Sequence, residues 1–196
     1  MFRFPHPNEA MTVYRFTIQL NDIDRQISED LVFSVSQHPS ETGVRFTGRV
    51  VASLLFWSPG LEFTKGICAG DDPDLWEKEG DGRVKHWIEV GLPAIDKLRR
   101  ACHHARKVSV LPFGKTFRHW YPQLEQLQSM TNLQVLQIQE ELLETMARQL
   151  ERNNRWTATI NDRVIYLFNM ANNETIYSDL EELMTATSKQ HSPVPH

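Results

Sequence analysis

Acidic side chains are the residues of this sequence whose type and spacing could do chemistry. Glu89 lies near the end of an apolar run, an aspartate cluster precedes that run, and Glu41 lies further upstream. The cluster consists of Asp71, Asp72 and Asp74. A hard cation such as Mg²⁺ prefers oxygen ligands, and carboxylates from separate elements can converge to supply them. Because bound Mg²⁺ or Mn²⁺ can polarise a phosphodiester and activate water, the acids predict a metal-dependent hydrolytic site.

Other familiar sets of catalytic residues are missing from the sequence. There is no GxSxG, no HExxH and no glycine-rich phosphate loop. The two cysteines, Cys68 and Cys102, form no CxxC pair, so we expect two reduced thiols rather than a zinc site. The histidines His103, His104 and His119 lack metal-ligand spacing, so we expect them to be solvated or packed.

Each acid also has a purely structural interpretation. Glu41 and Asp72 stand where side chains cap helices, and Asp74 would then be solvated in a first helical turn. Glu89 is harder to explain in this way, because a carboxylate in an apolar strand needs partners. An ion pair with an arginine of the following helix would supply one.

Hydrophobic periodicity predicts the elements that must position these acids. Two alternating runs, at 12–20 and 30–37, predict a β-hairpin. The segments that follow are predicted as helix from 38 to 57, with Pro39 at its first position, strand 61–64, short helix 71–78, strand 84–90, helix from 94, and strand 107–113. A strand–helix–strand crossover such as 84–113 implies parallel neighbours in a mixed sheet.

The sequence pattern after residue 113 predicts further helices and strands. The segments are helix 116–128, strand 133–138, helix 140–150, a hairpin over 156–168 and a strand at 175–178. We therefore expect an α/β fold with a mixed β-sheet flanked by helices, in one domain over residues 11–187. Residues 1–10 and 188–196 are expected to be loose termini.

Composition limits the class of protein. Hydrophobic residues make up 40% of the 196 residues and charged residues 23%, which is ordinary for a globular domain. The net charge of −4 argues against strong nonspecific binding of nucleic acid, because phosphate neutralisation requires basic residues. No apolar run approaches the roughly 20 residues of a membrane helix, and no signal peptide is apparent, so we expect a cytoplasmic protein.

Several segments, in order and at matching spacing, resemble the bacterial YaeQ family. They are NDIDR at 21–25, HPSET at 38–42, FTKGIC at 63–68, GDDPDLW at 70–76, WIEVGLP at 87–93 and KLRRA at 97–101. The resemblance extends from about residue 14 to about residue 178. It implies a variant of the PD-(D/E)XK fold, the restriction-endonuclease-like core of many nucleases, with added N-terminal and C-terminal strands.

The resemblance also implies roles for the acids. Glu89 matches the acid of the (D/E)XK element, and Glu41 matches the helix glutamate that many such nucleases carry. Asp71 is our choice for the acid of the PD element, with Asp72 and Asp74 as alternatives. The implied metal ligands are Glu41, Asp71, Asp72 and Glu89.

The lysine of the (D/E)XK pattern is replaced by Gly91. In some relatives of this fold the lysine has moved to the next helix, where this sequence offers Lys97, Arg99 and Arg100. Lys97 lies nearest the start of that helix. The implied catalytic residues are therefore Asp71, Glu89 and Lys97.

Two functions follow from the resemblance. One is a Mg²⁺- or Mn²⁺-dependent nuclease that acts on DNA or RNA. The other is a catalytically inactive nuclease fold that binds nucleic acid or protein, since the family has been linked to transcript elongation. A lysine ammonium near both carboxylates favours the first, and a Glu89 locked to an arginine favours the second.

Overall fold

A mixed β-sheet runs through the protein in the computed structural model, which describes residues 11–65 and 71–186. The strands are β1 Thr12–Asp22, β2 Ile27–Gln37, β3 Leu61–Phe63, β4 Leu75–Lys78, β5 Val84–Val90, β6 Ala105–Leu111, β7 Leu133–Ile138, β8 Asn153–Asn161, β9 Val164–Asn169 and β10 Glu174–Met184. The helices are α1 Gly43–Leu55, α2 Ile95–His104, α3 Phe117–Trp120, which continues as a 3-10 helix over Tyr121–Leu127, and α4 Glu140–Arg148. Residues 1–10 and 188–196, predicted as loose termini, lie outside the described residues.

The ten strands of the described chain form one sheet in the order β2-β1-β8-β9-β10-β7-β6-β5-β4-β3. The pairs β1–β8, β5–β6 and β6–β7 are parallel, and the other neighbours are antiparallel. The crossover from β5 through α2 to β6 confirms the parallel pair expected over 84–113. The mixed α/β architecture is therefore as predicted, and no described helix is long and apolar enough to cross a membrane.

Helices cover both faces of the central strands. The helices α1 and α4 pack against each other and contribute to a core that includes Ile88 and Val90 of β5. The helix α2 and the 3-10 helix belong to a second core, which contains Val108 and Val110 of β6. Because side chains alternate along a strand, Glu89 faces the α2 side while its neighbours Ile88 and Val90 face α1.

The helix predicted from residue 38 begins later, at Gly43. Thr42 has an extended backbone and its side chain accepts a hydrogen bond from the Arg45 backbone N at 3.2 Å, which makes it the N-cap. Upstream, the Ser40 N–H donates to the His38 ring at 3.1 Å, and the Glu41 N–H donates to the His38 carbonyl at 2.8 Å. These bonds close a tight turn, so Pro39 starts a turn rather than a helix.

The short helix predicted over 71–78 is wrong, because Leu75–Lys78 is the strand β4. This strand pairs with both β3 and β5, with Leu75 opposite Ile88. Pairing on two sides satisfies the backbone of β4 and buries Leu75 completely. These tertiary contacts outweigh the local helix-start signals of the aspartates and Pro73.

Candidate active site

Glu89 is buried near the end of β5, between the sheet and α2. Its Oε1 lies 2.7 Å from the Lys97 ammonium and accepts a hydrogen bond from Trp87 Nε1 at 2.8 Å. Burial raises the pKa of the Glu89 carboxyl, and the charge of Asp74 adds to that rise, against the opposing effect of Lys97. Within the described residues, Oε2 of Glu89 accepts no hydrogen bond, and the side chain is 4% exposed.

Asp74 is the aspartate that the structure brings beside Glu89. It immediately precedes Leu75, which pairs with Ile88, and its backbone N–H donates to the Ile88 carbonyl at 3.0 Å. Asp74, just before β4, therefore lies close to Glu89 at the end of β5, where its charge acts on that carboxyl. Its Oδ2 accepts the Val90 backbone N–H at 2.8 Å and its Oδ1 lies 2.8 Å from Arg45 Nη1, so it is buried rather than solvated.

Asp71 and Asp72 occupy a different position from Asp74. The Asp71 side chain is 97% exposed, and its ion pair in the described chain is with Arg100 at 3.6 Å. Asp72 is also exposed, and it approaches the site through its backbone, because its carbonyl accepts a hydrogen bond from Lys97 at 2.9 Å. The structure therefore places Asp74, and not the chosen Asp71, next to Glu89.

Lys97 is the cation that reaches Glu89. The turn at Leu92-Pro93 leads into α2, and Lys97 in its first turn projects back onto the end of β5. Arg99 pairs with Asp96 and Arg100 with Asp71, so neither arginine takes this place. The ion pair with an arginine of α2, considered as a structural role for Glu89, is formed by a lysine instead.

The backbone conformation at Gly91 disfavours a lysine two residues after Glu89. Its backbone has φ +86°, in the left-handed region that strains side-chain-bearing residues. A Cβ there would meet no atom within 4 Å, so backbone conformation rather than lack of space favours glycine. A lysine at this position would require a different turn between β5 and α2.

Glu41 belongs to a buried ion-pair network with two arginines. Its Oε2 lies 3.1 Å from Nη1 of Arg49, which is also buried, and its Oε1 lies 3.7 Å from Nη1 of Arg45. Arg45 thereby links Glu41 to Asp74. Sequence reasoning missed both arginines, although their spacing of four and eight residues from Glu41 is that of one helix face.

The carboxylates do not form a ready-made metal cage. No group of three or more His, Cys, Asp or Glu that could hold a metal ion occurs in residues 11–65 and 71–186. Asp74, immediately before β4, and Glu89, near the end of β5, form a pair of carboxylates, and each is contacted by a cation of the protein. The site is therefore an acidic pair neutralised by Arg45 and Lys97.

Comparisons with known proteins point to one family. A family model described as "YaeQ protein" matches residues 9–177. The chain is 32% identical over 164 residues to "Uncharacterized protein YaeQ" of Escherichia coli K12, covering 83% of this chain and 91% of that protein. The corresponding protein of Salmonella typhi is 29% identical over the same length and coverage.

Two solved structures are similar over nearly their whole length. The crystal structure of YaeQ protein from Pseudomonas syringae has a TM-score of 0.84 and 29% identity, covering 90% of this chain and 98% of that chain. The crystal structure of YaeQ protein from Xanthomonas axonopodis pv. citri has a TM-score of 0.86 and 26% identity, covering 90% and 99%. The ten-stranded α/β architecture described above is thus similar to experimental structures of the family.

Proposed function

This chain belongs to the YaeQ family, and we propose that it is a metal-dependent, nuclease-like protein that acts on DNA or RNA. One observation carries the proposal. Asp74, immediately before β4, lies beside Glu89 at the end of β5, and the Lys97 ammonium lies 2.7 Å from Glu89 Oε1. Two acids and a lysine at one end of a sheet are the groups that phosphodiester hydrolysis needs.

We assign the core to a variant of the PD-(D/E)XK fold, with Pro73-Asp74 as its PD element. The order α1, β4, β5, α2 and β6 supports this assignment. Lys97, on α2, takes the part of the lysine that Gly91 replaces. Of the three aspartates considered, Asp74 becomes our choice because it is buried beside Glu89, whereas Asp71 points into solvent.

The donor set fits a hard divalent cation in chemistry, but Arg45 and Lys97 compete with it for the two carboxylates. Asp74 and Glu89 offer carboxylate oxygens, and their mutual repulsion contributes to the raised pKa of Glu89, which a cation between them would relieve. Arg45 already contacts Asp74 Oδ1, so Asp74 would exchange that ion pair for the metal. When bound, Mg²⁺ or Mn²⁺ supplies a Lewis acid for the phosphodiester.

The residues around the acids have positioning tasks in this proposal. Trp87 fixes Glu89 through its indole N–H, and the Val90 backbone N–H fixes Asp74. The Lys97 side chain is 22% exposed, so its ammonium is accessible to a phosphate oxygen. It can stabilise the charge that develops on that oxygen. Arg45 orients Asp74 and ties it to the buried Glu41.

The second candidate function is a catalytically inactive nuclease fold that binds nucleic acid or protein. The observation in its favour is that protein cations already neutralise the acids, Arg45 at Asp74 and Lys97 at Glu89. Acids that are already paired with cations of the protein can have a purely structural role and bind no metal.

Calorimetric titration with Mn²⁺, paired with cleavage assays on DNA and RNA, tests the proposal. Asp74→Asn and Glu89→Gln should weaken Mn²⁺ binding by more than about tenfold, since each removes a charged ligand. Asp71→Asn is the matched control and should bind as wild type does, because that carboxylate is 97% exposed. Lys97→Met should keep Mn²⁺ binding but lose about 100-fold or more in cleavage rate.

The possible results separate the two functions. Mn²⁺ affinity that is unchanged in both Asp74→Asn and Glu89→Gln, with native circular dichroism, would overturn the metal site. Nucleic-acid binding without Mn²⁺ binding or cleavage would establish the inactive binding module instead.

A further inference from the structure

A second concave site lies beyond the C-terminal end of α1, on the sheet face that carries α1. The cavity has a volume of about 310 Å³. Its wall is formed by Leu55, Phe56 and Trp57 after α1 and by the β1–β2 turn, and its floor includes His86, with Lys107 at the edge. The volume is at the lower end of the roughly 300–1,000 Å³ of small-molecule sites.

A row of hydrogen-bonded polar side chains crosses the floor from β5 to β10. His86 Nε2 lies 2.8 Å from Ser109 Oγ, and Ser109 Oγ donates to Gln134 Oε1 at 3.4 Å. Gln134 Nε2 in turn donates to Glu182 Oε1 at 3.2 Å. His86 and Ser109 are buried, and burying polar groups is costly unless they are satisfied. Such a row equips the cavity with both donors and acceptors.

The acids around the cavity are already engaged. Asp22 forms an ion pair with Arg25, and Asp24 accepts the backbone N–H groups of Asp162 and Arg163 at 2.9 and 3.0 Å. Glu182 accepts the Gln134 bond and lies 3.7 Å from Arg163. The negative charges at the rim are thus largely balanced by groups of the protein itself.

Lys107 is an exposed cation at the edge of this cavity, in the favourable field of the Glu182 carboxylate. Within the described ranges it makes no hydrogen bond and no ion pair. Burial, together with the nearby charge of Arg25, lowers the pKa of Lys107. Burial also lowers the pKa of His86 to about 3, and Lys107 adds to that effect. An anion beside Lys107 gains the attraction of its ammonium and of Arg25, which also lines the cavity.

We infer that this cavity binds a small oxyanion-bearing molecule, with its phosphate or carboxylate group on the Lys107 ammonium and its remainder against Phe56 and Trp57. The side chains of the polar row would complete the hydrogen bonds of the ligand. A charged oxyanion would make a charge-assisted hydrogen bond with the Lys107 ammonium, and the apolar wall accommodates an organic body. None of Asp74, Glu89 and Lys97 lines this cavity, so ligand binding here is independent of the proposed function.

Amide chemical-shift titrations with inorganic phosphate, and separately with acetate, test this site. Wild type should show saturable shifts at Lys107, Ser109 and Gln134 with at least one of the two anions, and the better anion identifies the recognised group. Lys107→Met should weaken that binding by about tenfold or more, which is the affinity provided by one charge-assisted hydrogen bond. Lys107→Gln is a second variant for the case that methionine disturbs folding.

Lys115→Met is the matched control, because Lys115 is exposed and lies outside the cavity. It removes the same charge and should leave the titration unchanged. Shifts of equal affinity in Lys107→Met and wild type, or no saturable shift at the cavity with either anion, would overturn the inference.

Discussion

Two buried glutamates on neighbouring strands, Glu77 and Glu89, have pKa values displaced in opposite directions. Each lies 2.7 Å from a lysine ammonium, and each accepts one further hydrogen bond from a side chain. Burial opposes ionisation of Glu77, but the hydrogen bonds from Lys85 and Ser58 outweigh it, so its pKa is lowered. Glu89 is more deeply buried and faces Asp74, so burial prevails and its pKa is raised. At the scale of single residues, the depth of burial and the charge of a neighbouring acid decide whether the pKa of a glutamate is raised or lowered.

Glu89→Gln therefore changes the pH dependence of stability in a defined direction. A carboxyl whose folded pKa is raised contributes stability below its unfolded pKa and loses it as pH rises through the folded pKa. We expect wild type to lose free energy of unfolding relative to Glu89→Gln as pH rises from about 4 towards neutrality, by at most about 1.4 kcal/mol per pH unit. Urea denaturation at a series of pH values measures the difference.

Glu77→Gln is the control of opposite sign. Its pKa is lowered, so the stability it contributes is present above the unfolded pKa and is lost as pH falls through the folded pKa. Wild type should gain stability relative to Glu77→Gln as pH rises towards about 4.5, and the difference should then stay constant up to neutrality. The same trend in both variants would contradict the assignment of Glu89.

At the scale of elements, the close approach of α1 to β5 determines whether Arg45 can reach Asp74. A Cβ added at Gly48 would lie 2.6 Å from Phe113 and 2.8 Å from Val90, distances that atoms do not tolerate. Arg45 is three residues earlier in α1 and spans from the helix to the start of β4. A glycine at this position lets the helix sit close enough for that contact.

Gly48→Ala should therefore destabilise the protein, although alanine favours a helix by about 1 kcal/mol over glycine. We expect a net loss of about 1–3 kcal/mol in the free energy of unfolding, because the new methyl overpacks the contact with Phe113 and Val90. Urea denaturation measures it. Gly80→Ala is the control, since a Cβ there meets nothing within 4 Å, and it should stay within about 0.5 kcal/mol of wild type. Equal stability of the two variants would refute the close contact.

At the scale of the whole molecule, the buried His86 couples global stability to acid. Burial lowers its pKa to about 3, so the folded protein keeps the ring neutral, hydrogen-bonded to Ser109. The unfolded chain takes up a proton at the ordinary histidine pKa of about 6.5. A histidine with a depressed pKa thus contributes stability at neutral pH that is lost as pH falls from about 6.5 towards 3.

His86→Gln should remove this component of acid destabilisation. Relative to the variant, wild type should lose up to about 1.4 kcal/mol per pH unit below pH 6.5, measured as the free energy of unfolding in urea. His119→Gln is the control, because His119 is exposed, and it should follow the wild-type slope. A His86→Gln slope identical to wild type would show that His86 takes up its proton in the folded state.

The sequence by itself determined the strands with clear alternation, the β5–α2–β6 crossover, and the set of acids from which a site could be built. These features depend on residues close together in the chain, where periodicity and turn chemistry act directly. Lys97 came from the family resemblance, which implied a lysine moved to the next helix, and the structure places its ammonium 2.7 Å from Glu89.

Only the tertiary structure decided which aspartate joins Glu89, and that residues 75–78 form a strand. Asp74 is held by Arg45, 29 residues earlier, and by the Val90 backbone, 16 residues later. Three acids within four residues are locally equivalent, and the strand pairing of β4 with β5 is what turns one of them inward. Capping preferences and charge are local properties and do not specify a contact with another strand. Tertiary contacts therefore determine which of the three aspartates is buried beside Glu89.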